Sequence, residues 1–281
     1  YRTSGFGPSP LRGSALTFSG IEPGATFPVT IGAGGGAKGS ASTFSPAVNT
    51  ITSAGGGGGA TASGGNTAGP PSHNAGNGGA GAPNSITGTA TTYAGGGGGG
   101  NDSRTGGSGG SGGAGDGGDG KLAQGVNGDA GTANTGGGGG GGSWNNSSPG
   151  STISNGGAGG SGIVIARAPS SAGVIFTATN PGGQQPGSSP NYNEVSQAPN
   201  GDIVAKFIAS GTLNILDTAC GVSTNFLIVG GGGAGGVSTG AGGGGAGGYR
   251  SSGFGPSPLR ASAITVTDVP GATIDITIGA G

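Results

Sequence analysis

Apolar residues occur in this chain in short bursts, each bounded by glycine, proline or small polar residues. Polar and apolar positions alternate in SALTF (14–18) and TFPVTI (26–31). The alternation is clearer in a second copy, where Ile264 and Val266 are followed by Ile274, Ile276 and Ile278. A period of two buries one side-chain row and leaves the other in solvent, which predicts half-buried β-strands. PGAT stands between the two runs of each copy and is a turn signal, so the pair predicts a β-hairpin. Strands are also predicted within 42–54, 84–94, 161–169 (SGIVIARAP) and 174–179 (VIFTAT). Three more fall at 203–209 (IVAKFIA), 212–216 (TLNIL) and 225–229 (NFLIV). No stretch carries a 3.6-residue period. These strands hold nearly all of the Ile, Val, Leu and Phe, enough for a small β-sandwich, so the fold class is all-β.

The segments between the strands are dominated by glycine, 80 of 281 residues, with unbroken runs at 95–100 and 136–142. Glycine has no side chain to bury and loses the most backbone freedom on folding. Such a segment is either a flexible linker or a structure in which closely packed backbones hydrogen-bond to one another. Several runs begin directly at the end of a predicted strand, which favours order. Polyglycine can form a left-handed helix of three residues per turn, and side-by-side helices leave no interior room for a Cβ. Side chains must then face outward about every third residue. In GGSGGSGGAGDGGDG (106–120), Ser108, Ser111 and Ala114 keep that spacing, and the phase slips before Asp116 and Asp119. Collagen is excluded, because the glycines cluster and only 17 residues are proline.

The chain opens with YRTSGFGPSPLRGSALTFSGIEPGATFPVTIGAG (1–34) and closes with YRSSGFGPSPLRASAITVTDVPGATIDITIGAG (249–281), identical at roughly two thirds of positions. The offset of 248 residues reads as one period of a tandem array plus overlap. The division that follows is 1–167 as the latter part of one glycine-rich module, 168–200 as a Pro/Ser/Asn-rich connector, and 201–281 as the start of the next module. Alternatively, duplicated ends compete for one docking site and drive head-to-tail assembly, which gives a filament when it does not close. On either view, removing 249–281 is expected to leave the module folded and to prevent joining.

FLIVGGGGAGG, YRSSGF and SAITVTDVPGATIDITIGAG, with ITSAGGGGGA, SITGTATTYAGGGGGG and SGGSGIVIARAP in order, resemble the glycine-rich modules of phage tail-fibre and adhesin proteins and of bacterial surface proteins. The resemblance covers nearly all of the chain apart from 170–200. It implies a β-structured base joined to a sandwich of polyglycine II helices and an extracellular or virion-surface location; it does not imply an enzyme. Such adhesins carry one module at a fibre tip, whereas tandem recurrence favours a shaft.

Charged residues are 7% of the chain and the net charge is -1, so no basic patch serves nucleic acid. No apolar run approaches the roughly 18 residues of a membrane span. The lone Cys220 permits no internal disulfide, and one histidine with one cysteine offers too few ligands for zinc. No GxSxG elbow with partners is present, and GxGxxG matches arise by chance in so much glycine. Asp116 and Asp119 form one ragged unit of a calcium-roll pattern; charge that limits lateral sticking is their simpler role. No cofactor, metal or catalytic residue is therefore expected. The Asn101, Asn145 and Asn146 sequons matter only in a glycosylating host. Trp144, Tyr93 and His73 are the candidate surface contacts, although for Trp144 a plug over the glycine lattice is the simpler role. The expected partner is the chain itself, in neighbouring repeats or subunits, with a cell-surface glycan or protein as the alternative.

Overall fold

A computed structural model describes residues 58–65, 75–101, 105–120, 125–145, 152–179, 193–216, 222–237, 241–257, 259–266 and 272–281. It also describes the strand pieces Thr3–Ser4, Arg12–Gly13, Val29–Thr30, Ser42–Phe44 and Ile51–Ser53. The protein is all-β, with a single 3₁₀ turn, Ser170–Ala172, as the helical element among these residues.

Two sheets form the sandwich. The first runs in the order Glu194–Gln197, Ile203–Phe207, Ile163–Ala168, Val222–Val229, Tyr249–Ser252 and Arg260–Ala261, with Ile264–Val266 added on the near end of Val222–Val229. The second runs Ile175–Ala178, Gly211–Leu216, Ala272–Thr277, Val29–Thr30, Ser42–Phe44 and Ile51–Ser53. Ile163–Ala168 is buried along its whole length. Its alternation explains why: Val164, Ala166 and Ala168 face the second sheet, where Phe176, Leu213, Ile215 and Ile276 meet them, with Phe207 of the neighbouring strand in the same layer. Ile163 and Ile165 face the other way, into a cluster with Leu227, Val229, Tyr249, Ile86 and Tyr93. One continuous apolar run thus serves two cores.

Most of the expected strands are present, with ends moved by a few residues. In place of a strand expected at 84–94 the chain forms a hairpin over 82–93, Ala82–Asn84 against Thr91–Tyr93. Two features differ from expectation. The strands of the second repeat copy join different sheets: Ile264–Val266 pairs with Val222–Thr224, and Ala272–Thr277 pairs with Gly211–Ile215. Alternation specifies a buried face but not a partner, and here each of the two strands finds its partner in a different sheet. In the 168–200 stretch, Glu194–Gln197 is a strand as well, antiparallel to Ile203–Phe207. Its mostly exposed, polar residues suit an edge, where Glu194 pairs with Lys206 at 2.5 Å.

The second repeat copy is an internal part of this sandwich. Tyr249 and Ile276 are 4% exposed, one in each core. Removal of 249–281 would therefore open both cores, contrary to the expectation that the module folds without it.

Candidate functional site: the glycine bundle and its far end

The glycine runs lie side by side in a bundle that continues the first sheet. Residues 154–162 lead into strand Ile163–Ala168, Val222–Val229 runs straight on into 230–236, and 241–248 enters Tyr249–Ser252. The ladder pair Val229↔Tyr249 is followed at once by Gly230 N–H donating to the Gly248 carbonyl at 2.8 Å. The sheet thereby sets the register of the runs that leave it.

Segment 136–143 is at the centre. Gly138, Gly139 and Gly140 donate in turn to the carbonyls of Gly95, Gly233 and Asp129. Gly141, Gly142 and Ser143 then repeat the rotation, to Gly98, Gly236 and Val126. The carbonyls of the same segment accept from three further runs: Gly115 and Gly118, Gly244 and Gly247, and Ser154, Gly157 and Gly160. Residues three apart address the same neighbour, and the six neighbours surround the segment. The donor–acceptor distances lie between 2.7 and 3.2 Å, within the ordinary range for amide hydrogen bonds. A Cβ at Gly138, Gly139, Gly140 or Gly141 would fall far inside contact distance of a neighbouring carbonyl oxygen. Backbone on all sides is what these positions require.

The phase slip at 113–116 is a chain reversal. Gly112 (φ +105°) and Gly113 (φ +82°) turn 105–111 back antiparallel along 114–120, so the outward rows restart. Positive φ at two successive residues is a glycine conformation. The outward side chains here act as hydrogen-bond acceptors. Asp116 accepts the Gly109 N–H and Asp119 the Gly106 N–H, each at 2.6 Å; Asn77 accepts from Ser108 and Asn127 from Asn155, each at 2.9 Å. At the rim a segment lacks a full ring of neighbours, and a short polar side chain supplies the missing carbonyl. This role for Asp116 and Asp119 is absent from the sequence reading, which offered calcium or repulsion. Among the described residues no three His, Cys, Asp or Glu side chains group as metal ligands.

Of the candidate contact residues, Tyr93 and Trp144 lie in different parts of the protein. Tyr93 is 5% exposed and packs in the core with Ile86, Ile163 and Tyr249, so it is not a surface contact. Alternation in Thr91–Tyr93 turns it inward, and burial raises its hydroxyl pKa. Trp144 is half-buried in a short ribbon, Trp144–Asn145 against Thr152–Ile153, at the end of the bundle away from the sandwich. His73 and Cys220 lie outside the described residues. The flanks Asn101 and Thr105, Gly120 and Gly125, and Val237 and Ala241 stand at that far end with Trp144. Bonds such as Gly100 to Ala241, Asn101 to Gly118 and Gly142 to Gly236 place them there.

One polar cluster escaped the sequence reading. Arg167 is buried on the first sheet, at the join with the 82–93 hairpin. Its Nε donates to Asp202 at 2.9 Å, Nη1 to the Ile86 carbonyl at 2.8 Å and Nη2 to Asn200 at 2.9 Å, and its guanidinium lies 4.5 Å from the centre of the Phe254 ring. Asn200, the Ser170 N–H and Arg167 together hold the Asp202 carboxyl below the usual carboxylate range. With each of its nitrogens engaged, Arg167 ties three loops together. The signal was a lone arginine in an otherwise apolar strand, IVIARA.

No family model matches the chain, and neither the curated proteins nor the solved structures contain a match to it. No helix among the described residues is long and apolar enough to cross a membrane.

Proposed function

We propose that the chain is a structural repeat unit of an extracellular filament or fibre shaft, or of a virion-surface fibre. It assembles head-to-tail through its β-segments, and a polyglycine II lattice stiffens it. The observation that carries this reading is the threefold rotation of hydrogen bonds around segment 136–143. A polyglycine II helix has three residues per turn, so residues three apart return to the same neighbour, and six neighbours close the packing. Such a body is uncharged inside and has no side chain that could repack. Its stiffness comes from hydrogen bonds in several directions across the rod. The role is mechanical, with the chain itself as partner and no cofactor, nucleic acid or catalysis.

The near repetition of 1–34 at 249–281 supports the tandem arrangement. Electron cryomicroscopy of the native material tests it. A filament advancing by one 248-residue unit per axial step is the expected result; isolated particles would overturn it.

One observation favours a second reading, an adhesin or tail-fibre module that recognises a cell-surface glycan or protein. Asn101, Val237 and Ala241 gather at one end of the bundle, beside the half-buried Trp144. Binding to whole cells that is lost on Trp144→Ala, with folding retained, would support this reading over the shaft.

A further inference from the structure

The second repeat copy fills a slot in the sandwich. Tyr249–Ser252 pairs with Leu227–Val229, Ile264–Val266 with Val222–Thr224, and Ala272–Thr277 with Gly211–Ile215. Ser252 donates its hydroxyl to Asn225 at 2.9 Å and accepts the Phe226 N–H at 2.8 Å. The Gly279 carbonyl accepts from Gly162 at 3.1 Å, which guides the chain into the glycine bundle.

The first copy carries most of the residues that this slot demands, with Thr3 in place of the buried Ser251 and Val29 in place of Ile276. Tyr249, Ser252, Phe254, Gly255, Leu259 and Gly279 are buried or half-buried. Their equivalents are Tyr1, Ser4, Phe6, Gly7, Leu11 and Gly32, identical in every case. At Gly255 a Cβ would strike the Ser251 and Tyr249 side chains, and glycine recurs at 7. A sharp change falls on solvent instead: exposed Asp275 corresponds to Pro28. The local backbone agrees as well. Thr3–Ser4 pairs parallel with Arg12–Gly13, in the same register as Ser251–Ser252 with Arg260–Ala261. In addition, Val29–Thr30 lies parallel beside Ile276–Thr277, each residue opposite its own equivalent, so the first copy already reaches the rim of the slot.

We infer that the slot accepts either copy, and that in the assembled material it takes the first copy of a neighbouring chain, so that strand exchange joins successive units. This rests on the fibre reading and names its joint. The donated segment completes the acceptor's two cores, which makes the joint as apolar and as cooperative as the fold itself.

Cross-linking of full-length chains tests the exchange. In a Cys220→Ser background, an acceptor carries Ser223→Cys and a donor carries Thr17→Cys, the equivalent of Thr265, whose Cα partner is Ser223. The two are unfolded, mixed, refolded and treated with a short thiol cross-linker. A linked dimer is expected. It should increase when the acceptor also carries Tyr249→Ser, which weakens its own copy, and be lost when the donor carries Tyr1→Ser. Ser223→Cys with Thr265→Cys in one chain is the control for slot geometry. Absence of the dimer in both backgrounds, while the in-chain control links, would overturn the exchange. Native filaments with a 248-residue step but no 17–223 link would sink the exchange alone and leave the fibre reading standing. Absence of filaments would sink the fibre reading itself.

Discussion

The sandwich and the glycine bundle are built into one protein from opposite materials. In the sandwich, side chains such as Phe207, Leu213 and Ile276 fill the space between sheets, and the backbone bonds only within each sheet. In the bundle the backbone is both the filling and the adhesive, and segment 136–143 is bonded to runs on every side. Burial of apolar surface stabilises the first, at about 25 cal/mol per Å². Each net hydrogen bond contributes only about 1 kcal/mol, and glycine loses the most entropy on ordering. A glycine bundle therefore gains from a partner that fixes its ends, and here three of its runs grow out of the first sheet. The difference teaches that a close-packed interior is possible without side chains, provided every amide finds a carbonyl.

The comparison breaks most sharply at Gly139. Gly139→Val would drive a branched side chain into the Gly157 carbonyl, so a loss of about 4 kcal/mol or more is expected. Gly242 faces open space, and Gly242→Ala should be neutral or stabilise by up to about 1 kcal/mol. Denaturant unfolding of the pair decides the matter; equal effects would mean that the runs are not close-packed.

In the sandwich, Phe207→Ala removes a fully buried ring and should destabilise by about 3–5 kcal/mol. Native-state hydrogen exchange would then show whether the amides of 138–142 lose protection along with the sheet. Loss in both regions is expected, because the sheet anchors the runs; intact protection would show that the bundle stands alone.

Acid offers a gentler probe of the join. The Asp202 carboxyl lies below its ordinary 3.8 in the folded protein. Its contribution is complete above the unfolded pKa near 3.8 and is lost as the pH falls through the lower folded value. Stability should therefore decline below about pH 4, and Asp202→Asn should flatten that decline in a pH series of melts.

The smallest effects belong to the rim. Asp116→Ala leaves the Gly109 amide without its acceptor and should remove about 1 kcal/mol. Asp116→Asn retains a carbonyl oxygen and should restore most of that. Trp144→Ala, at a half-buried position, should cost no more than about 1 kcal/mol. A larger loss there would make Trp144 the plug of the bundle rather than a residue at its free end.

Much of the β-structure is legible from alternation and turn residues. Ile163–Ala168 and Val222–Val229 announce themselves as apolar runs beside glycine. Glu194–Gln197 does not, since an edge strand of polar residues owes its conformation to the ladder beside it. Tyr93 shows the same limit at a candidate site: an aromatic next to a glycine run looks exposed in sequence, and only the first sheet lying over it makes it core. The Arg167 cluster draws on residues 86, 167, 200, 202 and 254, a separation that no local pattern connects.

By itself the sequence determined the class of material: strands from the period of two, an interior without side chains from the glycine runs, and two similar ends from the repeat. These are properties of local composition and spacing, which chain chemistry dictates directly. The tertiary structure alone decided which carbonyl each glycine amide meets, which sheet each repeated strand enters, and that the slip before Asp116 is a reversal. Identical glycines carry no address. Their partners are selected by the strands that launch them and by the rim side chains that complete their hydrogen bonds.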